Sequence, residues 1–272
     1  VRLGKNQGDT MSNYQIISQT AHAHLRWKRF DNYQFAAQDT VVPLVIQELT
    51  KACTSLPIAF IQQGEGYIPV ALLGVKKGQN LFVAPNGGWI GSYIPATYRS
   101  YPFALAEAEN NQLVLCIDAD SGLLDERFEQ PFFDDNDEPA QSVKDVLGFL
   151  QQLQNSRQLT QRICDSLQTE RLVVPWPLTI ETGEGKKVIE GLYCIDESKL
   201  ESLDNDALAR LHQAGALSAI YCQLISMQHT QMLRKVADIH TEHGATQEVP
   251  EDLDSVLDGM DDDDDLSFDF DS

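Results

Sequence analysis

The sequence predicts an α+β fold, and three observations carry that prediction. Residues 57–120 hold several short apolar runs bounded by Gly or Asn turns. Two other stretches, 142–170 and 203–240, repeat their apolar residues at helical spacing. Strand-like blocks are followed by helix-like blocks twice, which fits antiparallel sheets packed with helices. The chain has 272 residues, 42% of them hydrophobic and 22% charged. A chain of that size buries roughly 75% of the surface its unfolded form exposes, so it needs neither disulfide nor metal to hold a core.

In chain order, VVPLVIQELTK (41–51) reads as a helix or a strand–helix junction, with Pro43 suited to a first helical turn. PIAFIQQ (57–63) and YIPVALLGV (67–75) are strands around a GEG turn, and NLFVAP (80–85) is expected as a third strand. NGG at 86–88 is a turn signal. QLVLCIDAD (112–120) reads as a further strand and completes an expected antiparallel meander over 57–120. Pro69, Pro95 and Pro102 favour edge or irregular positions within it.

Residues 121–139 read as a loop. Its run FFDDNDEPA is acidic but has no central Gly, so a solvated turn fits better than a calcium loop. Residues 142–170 carry Val143, Val146, Leu147, Leu150 and Leu153 at helical spacing, with Ser156 or Thr160 as a possible start of a second helix. RLVVPWPLTIET (171–182) and KVIEGLYCID (187–196) form an expected hairpin around GEGKK. A helix over 203–215 has Asp204 or Asn205 as its cap and Gly215 as its stop. One long helix is expected over 217–240.

Both ends fall outside this pattern. Residues 7–11, Gln-Gly-Asp-Thr-Met, permit a codon series containing AAGGAG just before ATG. Translation is therefore expected to begin at Met11, with residues 1–10 a non-native leader. Residues 11–240 are expected to form the α+β domain, as one unit or as two packed lobes (about 11–139 and 140–240). Residues 241–272 form an acidic tail, expected to be disordered because its apolar content is too low to offset the entropy of ordering.

Charge narrows the partners. The net charge is −21, from 41 acidic and 20 basic residues. Twelve of the acids lie between Glu248 and Ser272 without a single Lys or Arg, leaving 29 to set against the 20 basic residues. Binding to nucleic acid or anionic lipid is disfavoured by that field. The one basic cluster, Arg26, Lys28 and Arg29, reads as a solvated face. Five widely spaced Cys, most of them in apolar runs, read as reduced and buried, and no apolar run is long enough to span a membrane. A cytoplasmic location follows as the expectation, with surface association by a signal-less route as its variant.

No phosphate loop, nucleophile elbow or metalloprotease motif occurs. His22 and His24 would share one side of a strand, but no third ligand at metal spacing accompanies them. No metal, no cofactor and no catalytic residue is therefore assigned. The richest segment is WIGSYIPATYRSYPF (89–103). Its Trp89, Tyr93, Tyr98, Arg99, Tyr101 and Phe103 are the candidate binding residues, since aromatics with a guanidinium supply large rigid area with polar handles. The competing possibility is that these rings fill the core. The tail's islands LDSVL and LSFDF, set in acid, are candidates for a second contact with a protein partner.

The ordered series VPLVIQEL, LPIAF, VALLGVKKGQNLFV, GSYIPATYRSYPF, LCIDADSG, PFFDDNDEP, EGLYCIDESKLESLDNDAL and LHQAGALSAIYCQLISM resembles the SapC family of bacterial proteins, from about His24 to Leu233. The family takes its name from a gene linked to bacterial surface layers. The resemblance implies an accessory role and supplies no catalytic residues. The expectation is a non-catalytic binding or assembly protein, with an enzyme acting on a peptide or saccharide as the alternative. That alternative would pair Arg99 with an acid such as Asp118.

Overall fold

Residues 13–108, 112–182 and 185–243 are described by the computed structural model. Residues 1–12, 109–111, 183–184 and 244–272 fall outside them, so the expected leader and acidic tail lie outside the described residues. The elements run β1 (Tyr14–Ile16), α1 (Gln19–His22), β2 (Arg26–Trp27), β3 (Val41–Pro43), α2 (Leu49–Ala52), β4 (Ile58–Gln63) and β5 (Gly66–Leu72). Next come α3 (Ala96–Arg99), β6 (Phe103–Glu107), β7 (Leu113–Asp118), β8 (Leu124–Asp125), β9 (Gln130–Pro131) and α4 (Gln141–Thr169). The last are β10 (Val173–Pro175), β11 (Leu178–Thr182), β12 (Gly185–Ile189), β13 (Leu192–Ile195), α5 (Glu197–Glu201), α6 (Asn205–Gln213), α7 (Ala216–Ser226) and α8 (Thr230–His243). The α+β class stands, with every strand pairing antiparallel.

The main sheet has the order β10-β13-β4-β5-β3 and draws strands from both sides of residue 140. Its centre is the β4–β5 hairpin, turned at Gly64, whose φ of 62° suits a residue without Cβ. Both edge strands are three residues long and end in proline, β3 at Pro43 and β10 at Pro175. Phe60, Leu72, Leu81, Leu167, Leu172 and Ile220 are fully buried in the core built on this sheet. Each such side chain contributes roughly 1.5–3 kcal/mol through its burial. Helices α4 and α7 touch each other and lie against the sheet.

A polar bridge ties α7 to the sheet. β13 pairs with β4 over only two residues, Leu192↔Ile61 and Tyr193↔Phe60. Beyond them the ladder is completed by α7. The Gln223 amide accepts from the Ile195 N–H (2.9 Å) and donates to the Ile58 carbonyl (3.2 Å). The Ser226 hydroxyl accepts from the Ile58 N–H (2.9 Å) and donates to the Gln223 carbonyl (2.6 Å). Both side chains are fully buried.

Several expectations are corrected. The meander over 57–120 is two hairpins in separate sheets: β4–β5 in the main sheet, and β6–β7 in a three-stranded sheet with β1. The expected strand at 80–85 is a loop. Asn80 takes its bonds, donating from its side chain to the Ala36 carbonyl and accepting from the Phe82 N–H. Pro69 lies inside β5 rather than at an edge; its carbonyl still accepts from the Leu44 N–H (2.9 Å) just past the end of β3, so the missing donor costs one bond at the margin of that pairing. Residues 41–51 form the strand–helix junction, and Pro43 closes the strand.

Within the expected loop 121–139, β8 and β9 flank β2 in a small sheet. The segment 142–170 is one helix, because Thr160 back-bonds to the Ser156 carbonyl and needs no cap there. The hairpin at 171–196 splits. β10 and β13 join the main sheet while β11 and β12 pair with each other. The long C-terminal helix is broken by a 3₁₀ turn at Met227–His229. The break follows the bridge, with His229 Nε2 also 3.0 Å from the Cys53 carbonyl. Asp204 caps α6 and Gly215, at φ 75°, ends it as expected.

Candidate functional site

The aromatic segment is fixed from behind by one buried carboxylate. Glu48, 4% exposed, ends the short 3₁₀ turn Ile46–Glu48. Its oxygens accept from the N–H groups of Val45 (2.9 Å) and Ala96 (2.8 Å) and from the Tyr93 hydroxyl (2.7 Å). Arg157 stands within its electrostatic reach: desolvation holds that guanidinium below its ordinary pKa, and Glu48 opposes the shift. Tyr93 in turn accepts from Arg99 Nη2 at 2.9 Å, and the Arg99 guanidinium lies 5.7 Å from the Tyr93 ring centre. Burial and the neighbouring Glu48 push the Tyr93 phenol well above its ordinary value, so it stays a neutral hydroxyl at any physiological pH.

The six predicted residues do not share one surface. Trp89 stacks on Phe82 (5.7 Å, 20°) and donates from Nε1 to the Tyr93 carbonyl (3.0 Å). Tyr98 is buried, with its hydroxyl on Asp39 at 2.9 Å. Phe103 is buried edge-on against Trp27 (4.7 Å, 83°). Tyr101 lies flat on Phe35 (4.0 Å, 11°), and its hydroxyl donates to Asp118 at 3.3 Å. Desolvation and that carboxylate push its phenol up to about 12. Only Arg99 among the six is exposed. Its partner is Tyr93, while Asp118 is engaged by Tyr101 and the Asp120 amide, so the Arg99–Asp118 pair does not form.

Three of the six, Arg99, Tyr101 and Phe103, line a groove of about 400 Å³. Trp27, Arg29, Phe30, Ser100, Asp145, Val146 and Phe149 complete it. The groove forms where β2, the α3–β6 corner and the N-terminal half of α4 meet. Rings supply half of its lining residues. Two guanidinium groups and one carboxylate supply the charge, and Asp145 already accepts from Gln141 (2.7 Å). Trp27 Nε1 is buried and has no hydrogen-bond partner among the described residues. A buried N–H left unpaired costs about 1–3 kcal/mol. The arrangement suits an anionic group carried on an apolar or aromatic body.

A second hollow of about 470 Å³ lies between Glu65–Gly66 and the far end of α4. Its side chains are already paired, Gln161 with Asp165 and Gln168 with the Glu65 carbonyl, and it has neither rings nor cations. His22 is buried edge-on to Phe132 within α1 while His24 is exposed, so they do not converge. Asp134 accepts from the Asn136 and Glu138 amides, and the 134–138 stretch is a turn of that kind. No group of three His, Cys, Asp or Glu is placed to hold a metal among the described residues. None of their helices is long and apolar enough to cross a membrane.

Sequence reasoning missed Trp27, Arg29, Phe30, Asp145 and Phe149. A signal was present: Trp27 and Phe30 interleave with Arg26, Lys28 and Arg29, a pattern of rings and cations rather than a plain charged face.

No curated protein and no solved structure matches the chain. One family description does: SapC, over residues 17–233. That range contains every groove-lining residue, the Glu48 anchor and the α7 bridge, and it stops before the acidic run. The chain belongs to the SapC family.

Proposed function

We propose that the chain is a non-catalytic binding or assembly protein that holds an acidic segment of a protein partner in the Trp27–Arg99 groove. The observation that carries this is the surplus of cations on an aromatic wall: Arg29 and Arg99 belong to a site whose one carboxylate is already engaged. A surface-layer or cell-surface setting for that partner is part of the same proposal, drawn from the family name. The test compares wild type with Arg99→Ala and Tyr101→Ala in a pull-down from native lysate. Loss of a partner from variants that fold normally supports the reading, and an unchanged set of partners overturns it.

The alternative, an enzyme acting on a peptide or saccharide, would need Asp145 as its acid, since this is the one carboxylate lining the groove. Asp145→Asn would then abolish turnover while leaving binding intact.

A further inference from the structure

We infer that the groove's partner is a second copy of this chain: its acidic turn, residues 134–138, enters the Trp27–Arg99 groove, and its own groove receives the same turn in exchange. This rests on the binding role proposed for that groove and names the partner.

Charge complementarity selects the occupant. The chain carries an acidic excess, so most of its surface repels an acidic segment of another copy. The groove is the exception. Arg29 and Arg99 are exposed at it, and neither has a carboxylate partner among the described residues. The turn is the counterpart. It holds Asp134, Asp135, Asp137 and Glu138, all exposed. Asp134 is used within the turn, accepting from the N–H groups of Asn136 (2.9 Å) and Glu138 (3.1 Å). The carboxylates of Asp135, Asp137 and Glu138 have no hydrogen bond or ion pair among the described residues, so they stand ready for cations of another molecule.

The turn is shaped before it binds. Its backbone is closed by the Asp134 N–H on the Glu138 carbonyl (2.8 Å) and the Asp137 N–H on the Asp134 carbonyl (3.1 Å), and the Gln19 amide donates to the Asp137 carbonyl. A segment already fixed in form loses little entropy on docking. Turn and groove also grow from one small core. Phe132, at the foot of the turn, packs edge-on against Phe103 (6.4 Å), and Phe103 against Trp27 (4.7 Å). Helix α4 begins at Gln141, just past the turn, and its Asp145, Val146 and Phe149 line the groove. At 1.5 Å per residue, Phe149 lies about 12 Å along α4 from Gln141. One region of the molecule therefore carries both insert and receptor. Two copies can exchange turns about a two-fold axis, so that every contact is made twice.

The experiment is sedimentation equilibrium on the full chain. Four samples are compared: wild type, Arg29→Glu/Arg99→Glu, Asp135→Lys/Glu138→Lys, and an equimolar mixture of the two variants. Asp137 is left in place because its φ of 63° suits Asp better than Lys. The wild-type mass should rise with concentration from 30.4 kDa toward twice that value. Each variant alone sets like charge against like charge and should stay monomeric. In the mixture the acidic turn of one variant meets the intact arginines of the other, and the reversed turn meets the reversed groove, so the dimer should return. Its return also shows that both variants fold. Should either pair of changes unfold the chain, the single exposed changes Arg29→Glu and Glu138→Lys carry the same comparison. A wild type that stays monomeric up to about 100 µM overturns the proposal, since interfaces of ordinary size bind at micromolar Kd or tighter. A dimer that survives either reversal, or a mixture that stays monomeric, overturns it too. The pull-down reads any partner of the groove, whereas sedimentation reads a second copy alone. Loss of a partner from Arg99→Ala beside a monomeric wild type would therefore sink this inference and leave the binding role standing.

Discussion

Two polar regions of the molecule behave as opposites in the fold. In the bridge between α7 and the main sheet, Gln223 and Ser226 give and receive every bond the strand ends require. In the groove, two guanidinium groups are set against one carboxylate that is already engaged. The first region is closed and can only hold the protein together. The second has donors to spare, and spare donors at an aromatic wall are what a ligand would use. The difference shows that burial of polar groups does not identify a site; their unmet valence does.

Glu48 tests where the boundary lies, with the largest effect. Glu48→Ala strands the Val45 and Ala96 N–H groups and the Tyr93 hydroxyl, and should lower stability by about 4 kcal/mol in urea unfolding. It should weaken groove binding as well, because Tyr93 no longer positions Arg99. Gln223→Ala breaks the closed region alone. It orphans the Ile195 N–H and the Ile58 carbonyl at a cost of about 3 kcal/mol, while the folded fraction keeps full groove affinity.

Acid gives a milder separation. Burial holds the His22 pKa below its ordinary 6.5, so the unfolded chain takes up the proton first. The stabilisation from a neutral His22 is therefore complete above about pH 6.5 and is lost as the pH falls through the lower value of the folded chain. Because His22 packs on Phe132 and Phe132 on Phe103, the loss lies on the groove side. Thermal unfolding at pH 7 and pH 5 should differ less in His22→Gln than in wild type. The smallest stability change belongs to Trp27→Phe. It removes a buried donor that has no partner, which offsets the indole packing lost against Phe103, so unfolding should shift by less than about 1 kcal/mol while the altered groove wall lowers affinity. A large stability loss there would put the Trp27 indole among the closed contacts.

Local chemistry was the legible part of the fold. The GEG turn announced the β4–β5 hairpin, and Asp204 with Gly215 announced the ends of α6. What escaped was set by distant partners. Residues 80–85 look like a strand, but the Asn80 side chain bonds to the Ala36 carbonyl and holds them as a loop. The 3₁₀ break after Ser226 follows from bonds to Ile58, 168 residues away in sequence. Likewise, β8 and β9 are two residues each, too short to show alternation. The site was half legible for the same reason. Composition located the rings of 89–103 but could not separate wall from floor, so Tyr98 and Phe103 were counted with exposed Arg99. Trp27 and Arg29 reach the groove because β2 is clamped between β8 and β9, a pairing no local window contains.

The prolines at the two borders of the main sheet bear on how the protein behaves in a crowd. An open sheet margin is a template on which another chain can add a strand and begin an aggregate. Here each margin offers two residues and then Pro43 or Pro175, which cannot donate to an incoming strand. Fibre growth from either side is cut short after one or two bonds. Backbone-shared assembly through the main sheet is thereby disfavoured, and the longer, proline-free margins left to it are those of β6 and of the β11–β12 hairpin.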